Sequence, residues 1–343
     1  MLDSYGRTID YLRLSVTERC QLRCAYCMPE GPCRTGDDAA LCSLDELTEL
    51  AAACVALGVK KIRLTGGEPL LRAELLPLIE RLRALPGLEE LALTTNGQRL
   101  AELAAPLRAA GLDRLNVSLD TLRPARYRAL TRGGELDRVF AGIAAAEAAG
   151  FRDLRLNAVL LKGVNDDELA ELAGLARTRP WSVRFIELMP IGPGAAMPEA
   201  FLPADAVLEA VPELRELQNA KGSFQREATE DGGTDPSTSL RSAQDDRPRG
   251  VARLYTAPGW AGTVGLIAPM SACFCAACSR IRITADGRLK PCLHSSEEYP
   301  LRGLHGDDLK AAILAAVQRK PARHHLSGSN ASESARPMNE IGG

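Results

Sequence analysis

From Tyr11 to Pro190, short runs of alternating apolar and polar residues are separated by stretches in which apolar residues recur every three or four positions. Alternation sends successive side chains to opposite faces of a strand, and the longer repeat gathers them on one side of a helix. The pattern therefore predicts consecutive βα units and a parallel sheet. Six strands are expected: YLRLSVT (11 to 17), KKIRLTG (60 to 66), LEELALTTNG (88 to 97), LDRLNVSLD (112 to 120), DLRLNAVLL (153 to 161) and SVRFIELMP (182 to 190). Helices fall between them, with Leu75, Leu78, Ile79 and Leu82 at helical spacing, and likewise Leu100, Leu103, Ala104 and Leu107. Ser43 with Glu46, and Asn165 with Glu168, are spaced as helix-start signals.

Parallel strands covered on both faces read as nearly continuous Val, Ile and Leu, and these do not. Leu12, Leu14 and Val16 point one way while Arg13, Ser15 and Thr17 point the other. Arg63 and Thr65, Thr94 and Asn96, Asn116, Ser118 and Asp120, Arg155 and Asn157, and Arg184 continue the polar series. With helices on the apolar face, the polar face must line a cavity holding water or ligand. A closed eight-stranded barrel fills its lumen with side chains. Six units predict instead an α/β fold built as an open, partial (β/α)6 TIM-like barrel.

Beyond about residue 215 the pattern breaks. Residues 219–250 are polar and almost free of large apolar groups, which predicts a mobile insertion. Strand-like RLYTA, TVGLIAP and RIRITADGRLKPCL follow, with Asp286 and Gly287 as a hairpin turn, then a helix from about Asp307 to Arg319. The expected domains are a barrel over 1–218, the insertion, a smaller α+β extension over 251–319, and a tail over 320–343 that looks unstructured by composition.

Overall charge narrows the ligand classes. With 42 basic and 44 acidic residues and a net charge of -2, no global field favours nucleic acid or an anionic membrane, and 4% aromatics argue against stacking platforms for single strands. The N-terminus lacks a basic segment followed by an apolar one, and no apolar run reaches the ~18 residues of a membrane span, so a cytoplasmic location is expected. In that setting ten cysteines suggest metal or redox chemistry rather than disulfides.

Cys20, Cys24 and Cys27 stand in C-x3-C-x2-C spacing just past the first strand, at the mouth where such barrels place their chemistry. A zinc site or an ordinary cubane takes four protein ligands, so three thiols leave one metal position for something else. Cys275, Cys278 and Cys292, spaced C-x2-C-x13-C, form a second trio that on spacing alone suits a structural zinc equally well. Cys33, Cys42, Cys54 and Cys273 read as core or surface residues. TGGEP, Thr65 to Pro69, is either a plain turn or a place where backbone approaches a ligand. Arg13, Arg63, Arg155 and Arg184 project from strands onto one face, and Arg280 and Arg282 add a pair with forks suited to phosphate or a carbonyl edge. So many inward cations call for carboxylates or a bound polyanion.

These motifs together resemble the radical S-adenosylmethionine enzymes, and within them the GTP 3',8-cyclase family that opens molybdenum cofactor biosynthesis. YLRLSVTERCQLRCAYCMPEG, KIRLTGGEPLLR, LTTNG, GLDRLNVSLD, RFIELMP, FCAACSRIRITADGRLKPCL and the terminal GG carry the resemblance in order, across nearly the whole chain except 219–250. The resemblance implies that Cys20, Cys24 and Cys27 hold a [4Fe-4S] cluster whose fourth iron binds S-adenosylmethionine. One electron then cleaves the sulfonium, and the 5'-deoxyadenosyl radical abstracts the 3' hydrogen of GTP, leading to 3',8-cyclo-7,8-dihydro-GTP.

By matching positions, the same resemblance implies that Tyr26, Gly67, Ser118 and Met189 touch S-adenosylmethionine. It assigns Arg13, Arg63, Thr94, Arg155, Arg184, Arg280, Ile281 and Arg282 to GTP, with Arg280 and Arg282 in the catalytic role. Cys275, Cys278 and Cys292 hold a second [4Fe-4S] cluster whose open iron takes the guanine. At Arg155 this chain departs from the lysine usual in the family. The Gly342-Gly343 tail is implied to enter the active site, although composition by itself suggests a frayed end. The implied partners are GTP, a low-potential electron donor and a downstream cyclic pyranopterin monophosphate synthase, with no nucleic acid, no membrane and room for a homodimer. The rival readings are a peptide-modifying radical enzyme with an auxiliary cluster and a zinc-stabilised binding module.

Overall fold

The computed structural model describes residues 1–30, 41–217, 251–324, 326 and 332–342; Cys33, the 219–250 segment and Gly343 lie outside the described residues. All six expected strands form: β1 Tyr11–Ser15, β2 Lys61–Thr65, β3 Glu90–Thr95, β4 Arg114–Ser118, β5 Leu154–Leu160 and β6 Ser182–Glu187. They pair in parallel, in chain order. Each ends shortly before the expected run does.

The helices α1 Leu44–Ala56, α2 Leu75–Arg83, α3 Leu100–Ala109, α4 Pro124–Thr131, α5 Leu136–Ala148 and α6 Leu169–Thr178 lie between these strands. Leu12, Leu14, Ile62, Leu64, Leu91, Leu93, Leu115 and Val117 from the sheet share one buried cluster with Leu47, Leu78, Leu82, Leu107 and Ile143 from the helices. Ser43 caps α1 as its spacing foretold, accepting from the Glu46 amide while the Glu46 carboxylate accepts from the Ser43 amide. Asn165 and Glu168 do otherwise. Asn165 donates to the Asp120 and Val159 carbonyls, and Glu168 accepts from Thr121 and Leu122, so both residues tie two βα loops together.

After α7 Ala206–Ala210 and β7 Arg215–Glu216, the chain from residue 251 returns to the same sheet rather than starting another. β8 Arg253–Thr256 and β9 Thr263–Ile267 extend it beyond β6, and β10 Arg280–Ile283, β11 Arg288–Lys290 and β12 Tyr299–Pro300 extend it before β1. β9 and β10 join in parallel, so the parallel run β10-β1-β2-β3-β4-β5-β6-β9 is wider than six strands. Its two ends are not paired with each other, and the barrel is open. Helix α8 Gly306–Gln318 packs against α1. No helix among the described residues is long and apolar enough to cross a membrane.

Two features correct the compositional picture. The tail is ordered where described: helix α9 Met338–Ile341 buries Asn339 and Ile341. Arg336 reaches Glu298, Asp286 and Glu18, and that set of acids, drawn from distant parts of the chain, is invisible in a polar tail read alone. The inward arginines are also partly offset. At the N-terminal end of the strands Arg114 bonds Glu90 and Asp153, Lys61 lies 3.4 Å from Glu90, and Arg155 lies 3.2 Å from Asp153. Burial raises Asp153, but Arg155 and Arg114 outweigh it and hold the carboxyl below its ordinary value.

Candidate active site

At the other end of the strands, one cavity is lined by both cysteine trios. The first trio sits on the loop after β1. The Cys27 and Met28 amides turn back to the Cys24 carbonyl, and the Arg23 and Ala25 amides pin the loop to Thr131 and Leu130 at the end of α4. From beneath, the loop is held by the glycines that end β2. A Cβ on Gly66 would stand 2.3 Å from the Thr17 carbonyl oxygen and one on Gly67 2.2 Å from that of Arg19. The Gly67 and Glu68 amides donate to those same carbonyls. These glycines thus seat the cysteine loop, and the Gly67 and Glu68 amides are spent on it rather than offered to a ligand.

Around the loop, Tyr26 donates to Asp120 at 2.7 Å, and Asp120 also accepts from the Val159 amide. Asn96 donates to the Cys20 sulfur at 3.6 Å. Burial, with Asp120 and the two neighbouring thiols, pushes Cys24 well above the ordinary thiol value. Buried Asp120 is itself raised to about 6. A metal that binds such a thiol displaces its proton. Three converging thiols on a pinned loop fit a cluster that keeps one iron open.

The second trio bridges β10 and β11. Cys275 and Cys278 flank the short turn leading into β10, and Cys292 follows β11. Lys320 is buried and clamps the two segments, its Nζ donating to the Arg280 and Pro291 carbonyls at 2.8 and 2.6 Å. A lone lysine after a helix gives no sign of this in the sequence. Burial would raise Cys278, but Arg280 and Lys320 overcome it and the thiol falls to about 6, within reach of neutral-pH deprotonation. Burial pushes Cys275 to about 11.

Between the trios lies a row of like charge. In the sheet register Arg13 is directly opposite Arg63 on β2 and Arg282 on β10, an arrangement that opposes itself unless an anion intervenes. Among the described residues none of the three forms an ion pair with a carboxylate, and the Arg13 and Arg63 Nε atoms are buried without a hydrogen-bond partner. Burial, with Arg13, Arg114 and Arg155 close by, pulls the Arg63 guanidinium down to about 9. The side-chain oxygens of Asn116 and Asn157 nearby likewise have no hydrogen-bond partner among the described residues. Thr94, Ser118, Tyr26, Gly67, Met189 and Arg280 line the same space.

Three of the expected GTP residues lie elsewhere. Arg155 and Arg184 sit two residues nearer the strand starts than Asn157 and Ile186, which line the cavity. Ile281 faces away from it, fully buried in the apolar core on the helix side. It alternates with Arg280 and Arg282, so its side chain points away from the face that they share. The tail, by contrast, arrives. Gly342 has φ +83°, a conformation that favours glycine, its carbonyl accepts from Arg282, and it packs on Ser15 and Thr65.

An open parallel barrel with a three-cysteine loop after its first strand defines the radical S-adenosylmethionine class. Residues 14–176 match the Radical SAM superfamily, and 234–326 match Molybdenum Cofactor Synthesis C. The structure of SuiB from Streptococcus suis, bound to S-adenosylmethionine, shares the fold at TM-score 0.57 and 14% identity, over 97% of this chain and 77% of that one. GTP 3',8-cyclase of Heliobacterium modesticaldum is 43% identical over 100% of both chains. GTP 3',8-cyclase 1 of Pseudomonas aeruginosa is 45% identical over 100% of this chain and 99% of its own. The chain belongs to the GTP 3',8-cyclase family.

Proposed function

We infer that this protein catalyses the radical cyclisation of GTP to 3',8-cyclo-7,8-dihydro-GTP, the first step of molybdenum cofactor biosynthesis. The observation that carries this reading is the Arg63–Arg13–Arg282 row, which faces a cavity lined by both cysteine trios. A polyanion relieves the mutual repulsion of that row, and a triphosphate carries enough charge to do so.

Cys20, Cys24 and Cys27 hold one [4Fe-4S] cluster, and Cys275, Cys278 and Cys292 the other. With S-adenosylmethionine, the first cluster supplies one-electron sulfonium cleavage and a hydrogen-abstracting radical. The protein's own work is placement and exclusion of water. We assign Tyr26, Gly67, Ser118 and Met189 to S-adenosylmethionine. The Tyr26–Asp120 hydrogen bond fixes the tyrosine ring beside the cysteine loop. Arg13, Arg63 and Thr94 contact GTP on the sheet side, and Arg280 and Arg282 hold it at the second trio. Arg155 and Arg184 support this layer from below, and the broad Arg155 fork is matched by Asp153. We further propose that the protein works in the cytoplasm, draws on a low-potential electron donor, and passes its product to a cyclic pyranopterin monophosphate synthase.

Reduced, anaerobic incubation with GTP and S-adenosylmethionine, followed by mass analysis, tests the reading. It expects 5'-deoxyadenosine together with an isomer of GTP, from protein holding about eight irons per chain. Zinc in place of iron, or 5'-deoxyadenosine with no isomer, overturns it.

A further inference from the structure

One cysteine outside the two trios stands beside a member of the second. The donor atoms of Cys273, Cys275 and His324 all lie within 4.8 Å of one another. Donors bound to a single tetrahedral zinc, at about 2.3 Å for sulfur and 2.0–2.1 Å for nitrogen, sit some 3–4 Å apart. Thiolates on a cubane are each bound to a different iron and must spread wider. Cys273, Cys275 and His324 therefore suit a mononuclear ion.

His324 is prepared as a ligand. Its Nε2 lies 3.3 Å from the Pro269 carbonyl, which can only accept, so Nε2 carries the proton. Nδ1 is then the bare nitrogen, and it is buried with no hydrogen-bond partner among the described residues. A carbonyl that accepts from the far ring nitrogen and so fixes the imidazole tautomer is the usual support of a metal-bound histidine. The two segments are also held together. Arg7 donates to the Cys275 carbonyl at 2.9 Å, to Ala322 at 3.0 Å and to Pro321 at 2.7 Å, while Asp3 fixes its Nε. Cys273 is exposed beside a shallow depression that Tyr5 and Arg323 border, which gives an ion a way in.

We propose that in the cluster-free protein Cys273, Cys275 and His324 bind one divalent transition metal, zinc above all, with water completing the tetrahedron. Because Cys275 belongs to both sets, this ion and the second iron–sulfur cluster exclude one another. Zinc then acts as a competitor for assembly of the substrate-side cluster.

The test uses metal-depleted, full-length protein carrying Cys24→Ser, which takes the first trio out of the competition. Co2+ is titrated anaerobically, its thiolate charge-transfer absorption is followed, and Zn2+ is used to displace it. Cys278→Ser, or Cys292→Ser where the former folds poorly, should leave the absorption and affinity in place. Cys273→Ser and His324→Gln should each weaken binding at least ~10-fold. The reverse pattern overturns the proposal.

Exclusion is read separately in the protein with Cys24 intact. Zinc-loaded chains should accept only about four irons, and Cys273→Ser without zinc about eight. A full iron complement with zinc retained refutes the competition, and loss of half the iron in Cys273→Ser makes that thiol a cluster ligand and refutes the site. Neither outcome depends on the GTP reading.

Discussion

Gly342→Ala probes the buried tail most directly. The residue sits at φ +83° and ψ +94°, outside the regions open to alanine, and an added Cβ would stand 2.4 Å from the Thr65 hydroxyl oxygen and 3.2 Å from the Ser15 Cβ. Thr65 is itself buried in the sheet and has little freedom to give way. Backbone strain of this kind costs about 1–3 kcal/mol, before any cost of the contact. The simplest release is for the tail to leave its seat, which forfeits the Arg282 hydrogen bond, the Asn339 hydrogen bond to the Glu18 carbonyl and the small burial of α9. A docking equilibrium then shifts by roughly 5–150-fold. Two assays see this. Carboxypeptidase should release the C-terminal residues of the variant faster by that factor, and formation of the GTP isomer should fall while 5'-deoxyadenosine release in the absence of GTP stays near the parent level. If the variant's tail remains protected and its turnover lies within about twofold of the parent, less than 0.5 kcal/mol, the glycine is not positioning the tail.

Two further predictions concern charge. Arg280→Ala or Arg282→Ala should impair GTP turnover and leave uncoupled cleavage of S-adenosylmethionine largely intact, because both guanidiniums lie at the second trio and not at the first; equal loss of both activities in a product assay contradicts the assignment. Asp120 gives a pH signature. Its carboxyl is raised from 3.8 to about 6, chiefly by burial, so the folded state holds the proton more tightly than the unfolded one. The resulting stability is full below about pH 4 and is lost as pH rises through about 6, a change of up to ~3 kcal/mol. Asp120→Asn keeps the Val159 contact and lets the Tyr26 hydroxyl reverse, so urea unfolding of the metal-depleted variant should lack that slope. Parallel pH profiles for parent and variant would remove Asp120 as its source.

The strands were legible because their burial is local in origin. Alternation in YLRLS or KIRLT assigns each side chain to a face without knowledge of any neighbour, and a polar inner face on six such strands already demands an open, ligand-holding barrel. The first cysteine trio was equally plain, since its three thiols lie within one loop after one strand. What the chain's order could not express is which distant strands become neighbours. β10 lies beside β1, hundreds of residues away in sequence, and that pairing alone puts Arg282 opposite Arg13 and brings the second trio to the first cavity. The same limit explains the tail: Arg336 and Gly342 are polar or small residues in a polar stretch until Asp286, Glu298, Arg282 and Thr65 are brought around them. It explains Ile281 in the opposite sense, where a position inside a recognised motif proves to face the core. Hydrophobic period is a property of consecutive residues, and it fixed the elements and their faces. Charge pairing and cavity lining are properties of residues that meet only when the sheet is assembled, and these the tertiary structure decided.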